Sequence, residues 1–170
     1  MKRILKNQKG LSLIEAIVAI SAFVIVVSVV LSLFLTAIGG QRKIIAQQNV
    51  QGNAMFLLGF IAKEMRMGTI TGNPNYYTLN ITRADDQQVS YSFYNGSLQR
   101  TVSGVPSSSG PLNSNDVRVT GRFYTIGIGI GDNQQPRVTV VIKVETTGQR
   151  PGERAIAELQ TTLTQHNLEL

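Results

Sequence analysis

The sequence predicts an α+β fold in which one long N-terminal helix packs on a C-terminal antiparallel β-sheet. Residues 11–38 form an apolar run that contains a single ionisable side chain, Glu15. Helical spacing of apolar residues continues to residue 67, after which the hydrophobic period falls to two. The pair Asn95-Gly96 then separates two alternating segments, which is a strong signal for a type I′ hairpin turn. We therefore expect a β domain at residues 68–170.

The apolar run is long enough to cross a lipid bilayer. As an α-helix, residues 11–38 would extend about 42 Å, against a hydrocarbon core of about 30 Å. A secretory signal would have a shorter apolar region and an A-x-A-like site. A plain membrane anchor leaves Glu15 unexplained, because an unpaired charge in lipid is costly.

Four basic side chains precede the apolar run, at positions 2, 3, 6 and 9. The positive-inside rule predicts that residues 1–10 are a cytoplasmic leader and that the C-terminal part faces outward. The leader also carries much of the formal net charge of +6, so the rest of the chain is close to neutral.

Residues 39–67 are predicted to continue the helix in amphipathic form. One broad arc contains Ala54, Met55, Leu58, Ile61, Ala62 and Met65. Phe56 and Phe60 make a second apolar stripe, and we expect them, with Leu58 and Ile61, to cover the sheet. Two apolar faces indicate two partners, namely the chain's own sheet and helices of neighbouring molecules. Gly39-Gly40 is expected to loosen the helix at the membrane boundary.

We predict six strands of one antiparallel sheet in the remaining sequence. They cover residues 76–82, 89–94, 98–102, 117–130, 137–146 and 156–164. Residues 105–111, 131–136 and 148–152 are rich in glycine, proline and polar side chains, and are predicted loops.

Enzymatic chemistry has little support in the sequence. The chain has no cysteine and one histidine, so thiolate nucleophiles and disulfides are excluded. The histidine, His166, is four residues from the C-terminus and is expected to be a solvated strand-end residue. We predict that the protein is not an enzyme.

No cofactor or metal ion is expected. Glycines 127, 129 and 131 form a G-x-G-x-G pattern, but no helix follows, so we expect close packing or a bulge and no phosphate loop. Asp85-Asp86 and Asp132-Asn133 lack the alternating ligand spacing of a calcium loop. Turn formation explains these polar pairs better.

Cationic and aromatic side chains are spread over the predicted strands. The cations are Arg83, Arg100, Arg118, Arg122, Arg137 and Lys143. The aromatics are Tyr76, Tyr77, Tyr91, Phe93 and Tyr94. Together they could form a stripe for nucleic acid. Ordinary solvated sheet faces explain both sets better, so nucleic acid is the less favoured partner.

The start of the chain resembles the class III signal of type IV pilins and pseudopilins. The matching segment is G-L-S-L-I-E, from Gly10 to Glu15, directly after the basic leader. The resemblance implies that prepilin peptidase, a membrane aspartyl protease, cuts after Gly10 and methylates Leu11, and it favours a role of Glu15 in assembly. The family more often has Phe at position 11 and a proline near Ser32, both absent here.

Three later segments resemble J-type minor pseudopilins and related minor pilins. They are residues 63–66, 91–100 and 158–167. The resemblance implies a structural subunit of the bacterial inner membrane that joins other pilins in a type IV pilus, a type II secretion pseudopilus or a DNA-uptake machine, at or near its tip. The alternative is a membrane-anchored binding module for DNA, glycan or exported protein that does not polymerise.

Cleavage between Gly10 and Leu11 is the first testable prediction. Glycine offers no side chain to obstruct a protease that approaches the backbone closely. Intact-mass analysis of the chain from native membranes should find Leu11 as the first residue, carrying one additional methyl group. A mature chain that begins at Met1, or beyond Gly39, would contradict this prediction.

Overall fold

The described part of the molecule contains one long α-helix, eight β-strands and a short 3-10 helix at Pro106–Ser108. This computed structural model describes residues 10, 12–71, 75–128, 135–148 and 153–165. Helix α1 covers Leu13–Met67. The strands are β1 (Gly68–Ile70), β2 (Thr78–Arg83), β3 (Gln88–Tyr94), β4 (Ser97–Val102), β5 (Gly110–Pro111), β6 (Val117–Ile126), β7 (Arg137–Thr146) and β8 (Ile156–Thr164).

The strands form two antiparallel sheets, which confirms the α+β class but not the single sheet that we expected. One sheet has the order β1-β2-β3-β4-β5 and the other β6-β7-β8. Where they meet, the Val119 N–H donates to the Gly96 carbonyl at 2.7 Å and the Phe123 N–H donates to the Tyr76 carbonyl at 2.8 Å. Carbonyl groups from turns of the first sheet thus accept hydrogen bonds from the free edge of β6. The strands of the first sheet do not pair with β6 as a continuous ladder.

The hairpin between β3 and β4 confirms the turn prediction. Tyr94 pairs with Ser97, leaving Asn95 and Gly96 as the two loop residues. Their φ angles are 48° and 74°, and both are positive as a type I′ turn requires.

Two strand boundaries differ from the sequence prediction by two or more residues, and two short strands were not predicted. Strand β2 begins at Thr78, because Tyr76 and Tyr77 form a turn. Strand β6 ends at Ile126, because Gly127 has a left-handed φ of 72° that leaves the extended conformation. Gly129 and Gly131 lie outside the described residues. Strands β1 and β5 have three and two residues, too few for a visible alternation.

The helical stripe that enters the core is narrower than predicted. Its buried residues recur at intervals of three or four: Ala46, Val50, Ala54, Leu57, Ile61 and Met65. The prediction that Phe56 covers the sheet is wrong, since its exposed fraction is 53%, and Met55 of the predicted apolar arc is 67% exposed. Residue 57 falls on the stripe set by Ala54 and Ile61, whereas residue 55 lies about 100° away from Ala54. Leu58, Phe60 and Ala62 are half-buried at its margins.

Gly39 and Gly40 lie inside an uninterrupted helix. The helix is therefore not broken at this point, while the expected loosening stays a prediction. A Cβ added to either residue would meet no atom within 4 Å, so close packing inside the chain does not require glycine here. The chain divides into two compact units just beyond this pair, Met1–Gln41 and Arg42–Leu170.

Gly121 in β6 should be intolerant of substitution. Its added Cβ would lie 2.5 Å from the Val141 carbonyl oxygen and 2.6 Å from Cζ of Phe93. We expect Gly121→Ala to destabilise the β domain by about 1–3 kcal/mol, because overpacking forces the backbone to shift. Denaturant unfolding of the detergent-solubilised chain, followed by tyrosine near-UV circular dichroism, measures the change.

The control is Gly59→Ala on the exposed side of α1, where an added Cβ meets nothing within 4 Å. This change should stabilise the helix by up to about 1 kcal/mol, since alanine has the higher helix propensity. Equal effects of the two substitutions would contradict the close packing at Gly121.

Candidate functional site

The N-terminal half of α1 presents apolar side chains on all sides. The helix is long and apolar enough to cross a membrane, and none of its most apolar window is buried inside the protein. Large exposed side chains include Leu13, Ile17, Phe23, Val24, Ile25, Val29, Leu31 and Phe34. An apolar surface of this extent is a membrane or protein contact. This part of α1 is therefore a candidate membrane span.

Three hydroxyl groups in this half of α1 donate hydrogen bonds within the helix. Ser21, Ser28 and Thr36 each donate to the carbonyl four residues earlier, at 2.8, 2.7 and 2.9 Å. Since hydrocarbon offers no hydrogen-bond partner, this local bonding lets polar residues lie in an apolar surrounding.

Glu15 lies in the first turn of α1, where its side chain is exposed. The helix starts with a bond from the Ala16 N–H to the Ser12 carbonyl at 3.1 Å. A carboxylate at this end is stabilised by the helix dipole by about 0.3–1 kcal/mol. Within the described residues, Glu15 forms no ion pair. Gly10 is exposed and non-helical, and Leu11 lies outside the described residues.

A largely buried ionic cluster joins the C-terminal end of α1 to the first sheet. Arg100 Nη2 donates to Glu64 Oε1 at 2.6 Å, and Arg100 Nη1 donates to the Ser108 carbonyl at 2.9 Å. The Tyr91 hydroxyl donates to the other carboxylate oxygen of Glu64. The Arg100 guanidinium also lies over the Phe60 ring, 5.6 Å from its centroid. One carboxylate thus fixes α1 against both β3 and β4.

The electrostatics of this cluster keep Tyr91 neutral and Arg100 charged. Burial, together with the hydrogen bond to Glu64, raises the pKa of Tyr91 far above its ordinary value. Burial of Arg100 opposes its charge, but hydrogen bonding to Glu64 and the charge of that carboxylate outweigh it, so the pKa of Arg100 is raised. Tyr91 and Arg100 each remain in one protonation state, and both are bonded to Glu64 within the cluster. We therefore interpret the cluster as structural: it holds the helix and the strands together.

A second group of polar and aromatic side chains lines a groove of about 510 Å³ beside β6. Arg122 lies 5.8 Å from the Tyr77 ring centroid, and the Tyr76 and Tyr124 rings meet edge to face at 5.5 Å. Lys143 and Glu158 line the groove together with Tyr77, Arg122 and Tyr124. We call the surface formed by these five residues and the adjoining Tyr76 the tyrosine groove. A hydrogen bond with Tyr124 raises the pKa of Arg122.

The six cations do not form one continuous stripe, which was the less favoured alternative from the sequence. Arg100 is buried against Glu64, while Arg83 pairs with Asp85 at 3.5 Å and Lys143 with Glu145 at 3.6 Å. Among the predicted aromatics, Tyr91 is buried and Phe93 packs on Phe123 at 4.8 Å. Tyr124 was not predicted, although its position two residues after Arg122 in an alternating strand places both on one face.

The acidic pairs behave as turn residues where they are described. Asp86 has a positive φ of 60°, and Asp85 Oδ1 accepts from the Gln87 N–H at 3.3 Å, which confirms the turn at this pair. Asp132, Asn133 and His166 lie outside the described residues. Within the described ranges, no group of three or more His, Cys, Asp or Glu side chains is arranged to hold a metal ion.

No protein-family model, characterised protein or solved structure matches this chain. Its own residues therefore carry the functional inference.

Tyr91→Phe should destabilise the β domain by about 1–3 kcal/mol, because it removes a hydrogen bond to a charged acceptor. Thermal unfolding of the detergent-solubilised chain measures the loss. Tyr94→Phe is the matched control, since the Tyr94 side chain is 73% exposed.

The pH dependence separates this bond from simple packing. The folded protein holds the Tyr91 proton more tightly than the unfolded chain does. The resulting stabilisation is complete below pH 10.0, the ordinary pKa of tyrosine, and is lost as the pH rises above that value. Tyr91→Phe should remove this alkaline decline, whereas Tyr94→Phe should keep it. Identical alkaline profiles of both variants would contradict the assigned bond.

Proposed function

We propose that this chain is a minor pilin or pseudopilin, a non-enzymatic subunit that is stored in a membrane and drawn into a filament. One observation carries the proposal: a 55-residue helix is apolar and exposed in its N-terminal half, while one stripe of its C-terminal half is buried against antiparallel sheets. A subunit built this way is held by lipid before assembly and by neighbouring helices after it. The prepilin-like segment from Gly10 to Glu15 supports the same function.

The partners follow from this proposal. Prepilin peptidase would recognise the leader, cut after Gly10 and methylate Leu11. The leader would lie in the cytoplasm and the β domain outside the inner membrane, as the basic residues of the leader favour. Other pilins or pseudopilins would surround α1 in a pilus, a secretion pseudopilus or a DNA-uptake machine.

Glu15 is the residue to which we assign an assembly role. After cleavage, its carboxylate would lie about one helical turn from the new ammonium group of Leu11. Pairing within one chain would then satisfy both charges. Pairing of Glu15 with the amine of an adjacent subunit would also satisfy both charges, but between packed helices. Losing one member of such a buried ion pair costs about 3–5 kcal/mol. The absence of another ion-pair partner for Glu15 in the described residues leaves its carboxylate available for this contact.

Glu15→Ala and Glu15→Gln should leave cleavage, membrane insertion and folding of the β domain unchanged but reduce incorporation into filaments several-fold. The physical reason is the uncompensated amine that each variant leaves between packed helices. Shearing of cells followed by immunoblotting of filament and membrane fractions measures incorporation. Asp86→Asn is the control, because it removes one carboxylate from an exposed turn of the β domain.

Normal incorporation of both Glu15 variants would contradict the assembly role of Glu15. Only the ion pair between Glu15 and the Leu11 amine of the same chain would then remain. Recovery of the parent protein from membranes alone, never with sheared filaments, would instead favour the binding module that does not polymerise. Crosslinking in membranes with mass spectrometry of the partners would then identify the machine that the protein serves.

A further inference from the structure

The outer face of the second sheet carries cations on two adjacent strands. Paired residues of an antiparallel ladder share a face, and β6 pairs with β7 through Thr120↔Lys143 and Ile126↔Arg137. Arg118 and Arg122 alternate with the buried Val119 and Phe123, so they point away from the core. The cations on this outer face are therefore Arg118, Arg122, Arg137 and Lys143.

Two of these cations have no carboxylate opposite them. Arg118 lies opposite Glu145, and Lys143 lies opposite Glu158. Arg122 lies opposite Val141, and Arg137 lies between Ile126 and Thr164. Neither Arg122 nor Arg137 forms an ion pair with any described residue. In the part of the chain that the structure describes, this face therefore has guanidinium groups without a carboxylate partner, and an anionic ligand could contact them.

The tyrosines beside Arg122 are exposed, yet their backbone is fixed. Tyr76, Tyr77 and Tyr124 are 60%, 53% and 40% exposed. Asn75 Oδ1 accepts from the N–H groups of Tyr77 and Thr78, both at 2.8 Å. The carbonyls of Tyr76 and Tyr77 accept from Phe123 and Phe93 at 2.8 and 3.0 Å. Such a preorganised aromatic surface loses little conformational entropy when it binds a ligand.

These features define the chemistry of the ligand. Exposed aromatic rings beside a cation are what single-stranded nucleic acids need, since bases stack on the rings and phosphates meet the cation. The bases of a duplex stack on one another and are not free to lie on the tyrosines. Glu158 disfavours a phosphate at its own position, but its carboxylate can accept a hydrogen bond from the amino group of a base. A volume of about 510 Å³ is that of an ordinary ligand site.

We propose that the tyrosine groove binds single-stranded nucleic acid, with bases stacked on Tyr77 and its neighbouring tyrosines and the phosphate backbone against Arg122. The site lies on the second sheet and requires neither cleavage of the leader nor assembly into a filament. It therefore stands independently of the proposed function.

The test measures binding of a short fluorescein-labelled single-stranded oligonucleotide to the full chain in nonionic detergent, by fluorescence anisotropy. Tyr77→Ala should weaken binding by about tenfold through the loss of one stacked base. Tyr77→Phe keeps the ring and should bind as the parent does. Arg122→Gln should reduce the slope of log affinity against log salt by about 0.7, the value for one phosphate contact.

The controls match these substitutions in chemistry but lie elsewhere. Phe56→Ala removes an exposed aromatic ring from α1, and Arg83→Gln removes an exposed cation that pairs with Asp85 on the first sheet. Both should bind as the parent does. Heparin, which has no bases, and a duplex of the same sequence should compete poorly. The proposal is overturned if the parent does not bind, if heparin or the duplex competes equally well, or if the groove variants bind like the controls.

Discussion

The part of the chain after Arg42 depends on one helical stripe that has to be covered by β-strands. Leu57, Ile61 and Met65 are fully buried, and each such side chain contributes about 1.5–3 kcal/mol when it leaves water. Apolar burial has no direction, so it brings sheet and helix together without fixing their register. The hydrogen bonds of Glu64 to Arg100 and Tyr91 fix the register between helix and sheet, because a carboxylate accepts bonds from these two donors in few arrangements.

Features that arise from neighbours in the sequence could be predicted, and most of them are confirmed. The helix, the Asn95-Gly96 turn and the central parts of six strands follow from periodicity and turn chemistry. The division into two sheets could not be predicted in this way, because it depends on which distant segments pair. Leu57 shows the same limit within the helix: hydropathy allows several apolar arcs, and contact with the sheet selects one of them.

Arg100 shows why the candidate sites were harder to predict than the fold. In the sequence Arg100 is one of several cations on predicted strands. Its partner Glu64 lies 36 residues earlier, and the two side chains are largely buried against each other. Residues 63–66 and 91–100, which carry the weaker resemblance to minor pilins, contain all three members of this ionic cluster. Their physical role here is to hold α1 against β3 and β4. Tyr76 and Tyr124 meet in the same non-local way, because the two sheets adjoin beside β6.

Local pairing, and not net charge, determines which surfaces of this protein remain available to partners. Residues 11–170 carry 12 basic and 10 acidic side chains, a balance that indicates no anionic ligand. The basic side chains are nevertheless not paired equally. Arg83, Arg100 and Lys143 form ion pairs with carboxylates, whereas Arg122 lies over the Tyr77 ring. Among the described residues, exposed large apolar side chains are concentrated on α1, whereas arginines without a carboxylate partner lie on the outer face of the second sheet. The two surfaces therefore lie on different elements and differ in chemistry.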